Sequence, residues 1–287
     1  MRAAINTACE RTWQRRDPDR IYREVVVGGI RTACISRRQM GRLMVGDCMA
    51  ARGNRRKPRL VFASNGHAIA TAMIDAGFRG NFAKADLVHA DGQPVVIASR
   101  LLTDAPIPER SATTDFIHDA SSEARAHDLR FFLFGSTEDV NAECAARLGK
   151  AYPGLKIVGR RHGYFSPEQE DAIVEEINAA AADVVWVALG VPLEYEFCVR
   201  NKHHIKAGWI VTAGGCFNFV TGHYRRAPKW MQAMSLEWLY RLWREPKRLW
   251  KRYAITNPLA IFTILTRTVA YSSDMSGQSS GAGPKAR

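Results

Sequence analysis

The sequence predicts an α/β fold: a Rossmann-like open, mostly parallel sheet flanked by helices, followed by a basic C-terminal helical appendage. Three observations carry this. Short β-rich runs alternate with helical stretches through the first 224 residues. Several of these runs are apolar without alternation, as strands buried on both faces must be. In five loops a glycine follows the strand, as in sheets whose ligands lie beyond the carboxyl ends of the strands.

Taken in order, the predicted strands are 24–29, 60–64, 86–89, 130–134, 155–159, 183–189 and 209–213. Helices are predicted at 36–52, 66–77, 93–102, 115–128, 137–151, 167–181 and 193–204. The sixth has the clearest start. Ser166 can cap it, Pro167 takes the first position, and Gln169 completes a capping box. The alternation places a catalytic body at 24–224, after an Arg-rich leader at 1–23 read as flexible. The appendage covers 225–270, and the Ser/Gly-rich tail at 271–287 is expected to be disordered.

The 287 residues include 41 Lys+Arg against 28 Asp+Glu, a formal charge of +13. A hydrophobic content of 46% excludes a disordered chain, and this length needs no disulfide or metal staple. The six cysteines (Cys9, Cys34, Cys48, Cys144, Cys198, Cys216) show no C-x-x-C and read as reduced thiols of a cytoplasmic protein. No apolar run approaches the roughly 20 residues of a membrane span. The Arg-rich first residues lack the apolar core of a secretory signal. Membrane contact is therefore expected to be peripheral.

The charge is concentrated. Between Arg225 and Tyr253 nine basic residues face two acids, a charge of +7 in 29 residues that also hold four of the seven tryptophans. Met231, Met234, Trp238 and Leu242 step by three and four and are expected to share one helix face, with Pro246 starting the next helix. Two readings stay open here. One is a helix lying on an anionic membrane surface; the other is a core-packing helix with a solvated basic face. A nucleic-acid partner is not predicted, because no helix-turn-helix, zinc-finger or RNP-like pattern accompanies the basic and aromatic residues.

The glycine loops are Ser64-Asn65-Gly66, Ala90-Asp91-Gly92, Gly135-Ser136, Gly190-Val191-Pro192 and Gly214-Gly215. Together they predict a nucleotide or nucleotide-sugar site, where backbone N–H groups can approach a phosphate. The absence of G-x-G-x-x-G and of G-x-x-x-x-G-K-[ST] argues against dehydrogenase and P-loop chemistry.

Three stretches carry a family resemblance: ADLVHADGQPVVIASR at 85–100, KIVGRRHGYFSPEQEDAIVEEINAAAADVVWVALGVP at 156–192, and AGGCFNFVTGHYRRAPKWMQAMSLEWLYRLWREPKRLWKRY at 213–253. From about residue 24 to 265 the sequence resembles the WecG/TagA/CpsF glycosyltransferases, glycosyltransferase family 26. The resemblance implies an inverting transfer of a hexose or N-acetylhexosamine from a UDP-sugar donor of the UDP-ManNAc or UDP-glucose type. The implied acceptor is a sugar on a polyprenyl diphosphate lipid, at the cytoplasmic membrane face, in cell-surface or exopolysaccharide synthesis. The UDP-sugar is then a substrate, and no cofactor or metal is implied. A non-catalytic member that binds lipid-linked sugar or a partner enzyme is the alternative, and homo-oligomer formation stays open.

An inverting transfer needs a base for the attacking hydroxyl and cations for the leaving diphosphate. The motif match assigns the base to Asp91, although an Asp-Gly after a strand otherwise reads as a turn. Asn65 matches the Asn of the family's T-x-N motif and is expected beside the acceptor or Asp91; the Thr of that motif is Ala63 here. Arg110 matches a family arginine that binds phosphate or pairs on the surface. Gly135, Gly190 and Gly215, in the strand-end loops, are expected at the substrate. Glu194 stands where many members have Gln, and Asn218 where many have Asp, so both bear on how the donor sugar is read. Arg241 and Arg248, with Lys251 and Arg252, match basic positions of an appendage that closes over the site and holds the diphosphate without a metal. The only D-x-D, Asp17-Pro18-Asp19, reads as a surface turn, and His203-His204 as a helix end.

Overall fold

Two short strands, β1 (Arg23–Val27) and β2 (Ile30–Cys34), form an antiparallel hairpin ahead of the main sheet. The computed structural model describes residues 22–53 and 57–270. The leader before Tyr22, with Cys9, Asp17 and Asp19, and the tail at 271–287 lie outside the described residues. The strand expected at 24–29 stops at Val27, because Gly28 and Gly29 have φ of 58° and 77° and make a two-residue hairpin turn.

Helix α1 (Arg37–Arg52) leads into six parallel strands: β3 (Arg59–Ser64), β4 (Leu87–Ala90), β5 (Arg130–Gly135), β6 (Lys156–Arg161), β7 (Val184–Ala188) and β8 (Trp209–Thr212). Their order across the sheet is β4-β3-β8-β7-β5-β6, with every neighbouring pair parallel. The crossovers run through α2 (Gly66–Ile74), α3 (Ala76–Lys84), α4 (Gln93–Leu102), α5 (Thr113–Ala126), α6 (Glu138–Ala151), α7 (Glu170–Ala179) and α8 (Leu193–Asn201). Side chains alternate between two cores. Phe62, Phe132, Phe134, Val185 and Ile210 fill one face, while Val61, Phe131, Leu133, Trp186 and Trp209 fill the other. This is why the strands read as unbroken apolar runs.

The pattern missed α3, since Gly77 and Gly80 lower its helix propensity. Tertiary packing supplies what propensity does not: Phe78 and Phe82 meet the Tyr195 ring at 5.0 and 5.3 Å. The capping signal before 167 is real but opens a 3-10 turn (Pro167–Gln169) ahead of α7, with the Ser166 N–H donating to Gln169 Oε1 at 2.9 Å.

Beyond β8 come α9 (Cys216–Val220), α10 (Lys229–Ala233), α11 (Glu237–Arg244) and α12 (Pro246–Thr266). The single apolar face expected across 231–242 is broken between α10 and α11, where Ser235 turns at φ 62°. Pro246 opens α12 as its spacing predicts. This last helix lies along α2 and buries Leu249, Tyr253, Ala260, Thr263 and Ile264. The chain then pairs β9 (Val269–Ala270) with β1, placing Val25 opposite Ala270. The end of the appendage is thus joined to the hairpin at the start of the body. Among the described residues, no helix is long and apolar enough to cross a membrane.

Candidate active site

The loops after β3 and β4 are fastened to each other at the carboxyl edge of the sheet. The N–H groups of Asp91 and Gly92 both donate to the Ser64 carbonyl, at 2.9 and 3.1 Å. The approach is so close that a Cβ on Gly92 would lie 3.0 Å from Asn65 Cα, so only glycine fits without a shift. Asn65 caps α2, accepting from the Ala68 N–H at 3.0 Å. That bond fixes the amide so that Nδ2 donates to Asp91 Oδ2 at 3.0 Å. The Thr113 N–H donates to the other carboxylate oxygen at 2.9 Å, and Arg110 Nε donates to the Asp91 carbonyl at 2.7 Å. Burial pushes the Asp91 carboxyl up, but the Arg110 guanidinium, the Asn65 amide and the Thr113 N–H outweigh it and hold it below the usual range. Asp91 is therefore ionised at neutral pH and fixed in one orientation, the state a base requires.

The loops after β7 and β8 are fastened by Glu194, on α8. Its Oε2 accepts from the Gly190 N–H at 3.1 Å and from the Gly214 N–H at 2.9 Å. Burial drives this carboxyl up to about 7 despite those bonds. The expectation that the Gly190 loop offers its N–H to a phosphate is thereby corrected, because Glu194 already takes it. Glu194 itself is buried within the wall of the site, tying two loops together. At Gly135 (φ 128°) a Cβ would stand 2.3 Å from the Ala188 carbonyl oxygen. That glycine permits β5 and β7 to approach, and its carbonyl is taken by Asn141 Nδ2 at 2.9 Å. Gly215 caps α9, next to the Tyr224 ring.

The appendage meets this edge through charge. Arg110 Nη2 pairs with Glu237 Oε2, on α11, at 2.7 Å. Glu237 Oε1 lies 3.6 Å from Arg226 Nε, and Arg226 reaches Asp115 at 3.0 Å. Between α11 and the chain after α9 lies a cleft of about 290 Å³, whose lining includes Phe219, Tyr224, Tyr240, Arg241, Arg244 and the acid Glu245. The Arg241 guanidinium stands 5.7 and 5.8 Å from the Phe219 and Tyr224 rings. Arg248 stands 5.4 Å from the Tyr224 ring but is paired with Glu245 at 2.5 Å. Arg252 covers its neighbour Tyr253 at 4.9 Å, and exposed Lys251 lies on Trp250 at 5.7 Å. The structure thus brings together Asp91, Asn65 and Arg110. It leaves Arg241 on the Phe219 and Tyr224 rings, Arg252 on Tyr253, and Lys251 on an outer face.

The sequence profile of the glycosyl transferase WecG/TagA/CpsF family matches residues 25–273. The chain belongs to that family. It is a glycosyltransferase of the WecG/TagA/CpsF type, and two relatives are similar over most of their own length. The N-acetylglucosaminyldiphosphoundecaprenol N-acetyl-beta-D-mannosaminyltransferase of Bacillus spizizenii is 32% identical over 181 residues, 63% of this chain and 69% of that protein. The protein of the same name from Bacillus subtilis is 32% identical over 191 residues, 64% and 73% of the two chains.

In this glycosyltransferase the sequence reasoning missed two residues of the edge. Glu237 gives no signal among the basic residues around it, since only the fold brings it to Arg110. His67 is a lone histidine at a helix start, and nothing in its spacing distinguishes it. Among the described residues, no three His, Cys, Asp or Glu side chains gather as a metal site.

Proposed function

We propose that this glycosyltransferase moves an N-acetylhexosamine or hexose from a UDP-sugar to the sugar of a polyprenyl diphosphate lipid, with inversion and without a metal. The single observation that carries this is Asp91, held ionised by Asn65, Thr113 and Arg110 at the strand edge beneath a cationic appendage. The names of the two Bacillus relatives, which state a mannosaminyl group and an N-acetylglucosaminyl-diphosphoundecaprenol, support this donor and acceptor chemistry.

Asp91 takes the proton of the acceptor hydroxyl as that oxygen bonds to the anomeric carbon of the donor sugar. The bond from that carbon to the UDP oxygen breaks, and its electron pair leaves with the diphosphate. Arg241 and Arg252 face no carboxylate at ion-pair distance among the described residues, so they are available to neutralise this charge. Lipid delivery fits the outer surface of the appendage. Trp230, Trp243 and Trp250 are exposed there among basic residues, and α12 exposes Ile255, Ile261, Phe262 and Leu265. Such a surface suits the boundary of an anionic membrane. The product would enter a cell-surface or exopolysaccharide chain.

The test is a panel of UDP-sugars with a short prenyl-diphosphate N-acetylglucosamine acceptor. One donor is expected to give a new glycosidic product of inverted configuration. No product from any donor, with folded protein, overturns the reading.

A further inference from the structure

Two consecutive side chains at the start of α8 fasten three strand ends. Glu194 Oε2 accepts from the Gly190 N–H after β7 at 3.1 Å and from the Gly214 N–H after β8 at 2.9 Å. Tyr195 donates its hydroxyl to the Ala63 carbonyl of β3 at 3.1 Å. Both side chains are buried. The sheet register shows where this fastening lies. Val61 is opposite Val211 and Ser64 is opposite Ala90, so Gly214, Ser64 and Ala90 stand level across three neighbouring strands. Asp91 follows Ala90, two strand spacings or about 10 Å from Gly214. The loops that Glu194 holds are therefore the next stretch of the same carboxyl edge, beyond Asn65.

The electrostatics of this wall set Glu194 apart. Burial drives its carboxyl up to about 7; the Gly214 and Gly190 N–H groups hold it back, and the charge of Asp91 adds to the rise. The other groups around it supply no compensating charge. On α8, burial keeps the protons on Tyr195 and Cys198. Glu196, and Glu170 of α7, both pair with Arg200 further along that helix. β3 and β7 bring Arg59 and Asp183 only at their amino ends, and β8 brings no charge. α3 turns Phe78 and Phe82 to Tyr195, with Arg79 bonded to the Ala72 carbonyl and Lys84 exposed. None of these groups is a cation at ion-pair distance from Glu194 among the described residues. Ionised, Glu194 is a buried anion without a partner, on the edge that already holds the Asp91 carboxylate. A nucleotide-sugar brings a third anionic group there, its diphosphate, and like charges in a dry wall disfavour one another.

We propose that Glu194 is a positioning residue for the donor: its neutral carboxyl holds the Gly190 and Gly214 loops in place beside the diphosphate of a UDP-sugar, and loss of its proton weakens the binding of that ligand. This rests on the glycosyltransferase reading above. A neutral carboxyl still accepts both N–H bonds while adding no charge to the edge. By reciprocity, a ligand that prefers the neutral form strengthens the hold of Glu194 on its proton. Donor binding near neutral pH is then accompanied by proton uptake.

The experiment uses the full chain and UDP as the probe. Affinities are measured by calorimetry at pH 6, 7 and 8 for the wild type and Glu194→Gln, with thermal unfolding as a check on folding. About nine-tenths of Glu194 is neutral at pH 6 and about one-tenth at pH 8, so wild-type affinity should fall about tenfold more than that of the variant. The terminal phosphate of UDP titrates at about pH 6 in both cases, and the comparison removes its effect. With the productive donor, KM should rise with pH in the wild type and stay level in Glu194→Gln, while the pH dependence of kcat is the same in both. A purely structural bond would change affinity by one factor at every pH. Affinity profiles that agree within twofold overturn the assignment. If Glu194→Gln does not fold, the wild type decides, through calorimetry at pH 7.5 in two buffers of different ionisation enthalpy. Net proton uptake on binding UDP supports the assignment, and release or no exchange overturns it. Sugar transfer with matching profiles removes Glu194 alone. Proton-linked UDP binding without transfer from any donor removes the glycosyltransferase reading and leaves Glu194 beside a nucleotide diphosphate. No UDP binding by folded wild type overturns both.

Discussion

Arg110 and Glu237 join the loop that carries Asp91 to the appendage, Nη2 to Oε2 at 2.7 Å, with both side chains mostly shielded from solvent. Because Arg110 Nε also holds the Asp91 carbonyl at 2.7 Å, one guanidinium positions the proposed base and the helix above it. The planar, multi-donor fork of arginine makes that double role possible, and lysine lacks it.

Removing the carboxylate should therefore loosen α11 without unfolding the body. For Glu237→Ala we expect cleavage by trypsin within 225–252 to accelerate. kcat/KM should fall about fivefold, the equivalent of about 1 kcal/mol for a partly exposed pair. Unchanged proteolysis and unchanged kcat/KM would show the pair to be incidental.

Glu194 sets a pH-dependent stability. Its folded value of about 7 lies above the ordinary 4.5. The stability it contributes is fully present below about 4.5 and is lost as pH rises through about 7. Glu194→Gln keeps an acceptor for the Gly190 and Gly214 N–H groups but cannot ionise. The variant should gain on the wild type by up to about 3 kcal/mol between pH 5 and pH 8, measured by urea unfolding. A difference that is flat across that range removes the argument.

The basic residues of the appendage also bear on metals. With Arg241 and Arg252 available to the leaving diphosphate, turnover in excess EDTA is expected to equal that without it. A loss restored by manganese or magnesium would assign the charge to a bound ion and reopen Asp17 and Asp19, which lie outside the described residues.

Membrane docking should be electrostatic and reversible. Each Lys or Arg near an anionic surface contributes on the order of 1 kcal/mol, screened by salt. Full-length protein should sediment with vesicles rich in phosphatidylglycerol and release as salt rises. The double change Trp243→Ser, Trp250→Ser should weaken this about tenfold while sparing UDP binding. Deletion from 225 onward is a poorer test, because it would strip α12 from α2 and β9 from β1. Equal binding to neutral vesicles would contradict the electrostatic account.

Much of this was legible in the sequence. Strands such as Val184–Ala188 declared themselves because burial on both faces leaves no polar alternation. Asp91 and Asn65 were legible from the family motifs, and the fold accounts for their union through Gly92. What escaped were relationships that sequence distance conceals. The β1–β9 pair joins residues 25 and 270, and Arg110 meets Glu237 only after the sheet is built. Gly190 was read from its position alone, and only the buried Glu194 shows that its N–H is already used. The helix face expected over 231–242 failed at Ser235, where a local turn overrides a period that apolar spacing alone suggests.

The most direct measurement is the turnover of Asp91→Asn in the prenyl-diphosphate acceptor assay, alongside wild type at equal UDP affinity. The change is nearly isosteric but keeps only one of two bonds, because the single amide oxygen accepts either from the Thr113 N–H or from Asn65 Nδ2. Loss of the base should lower kcat by about 10²–10⁴, the contribution of general-base catalysis, in a variant that still folds and still binds UDP. An Asn variant that turns over at the wild-type rate would contradict the account at its centre, leaving Asp91 as a turn residue and the base elsewhere.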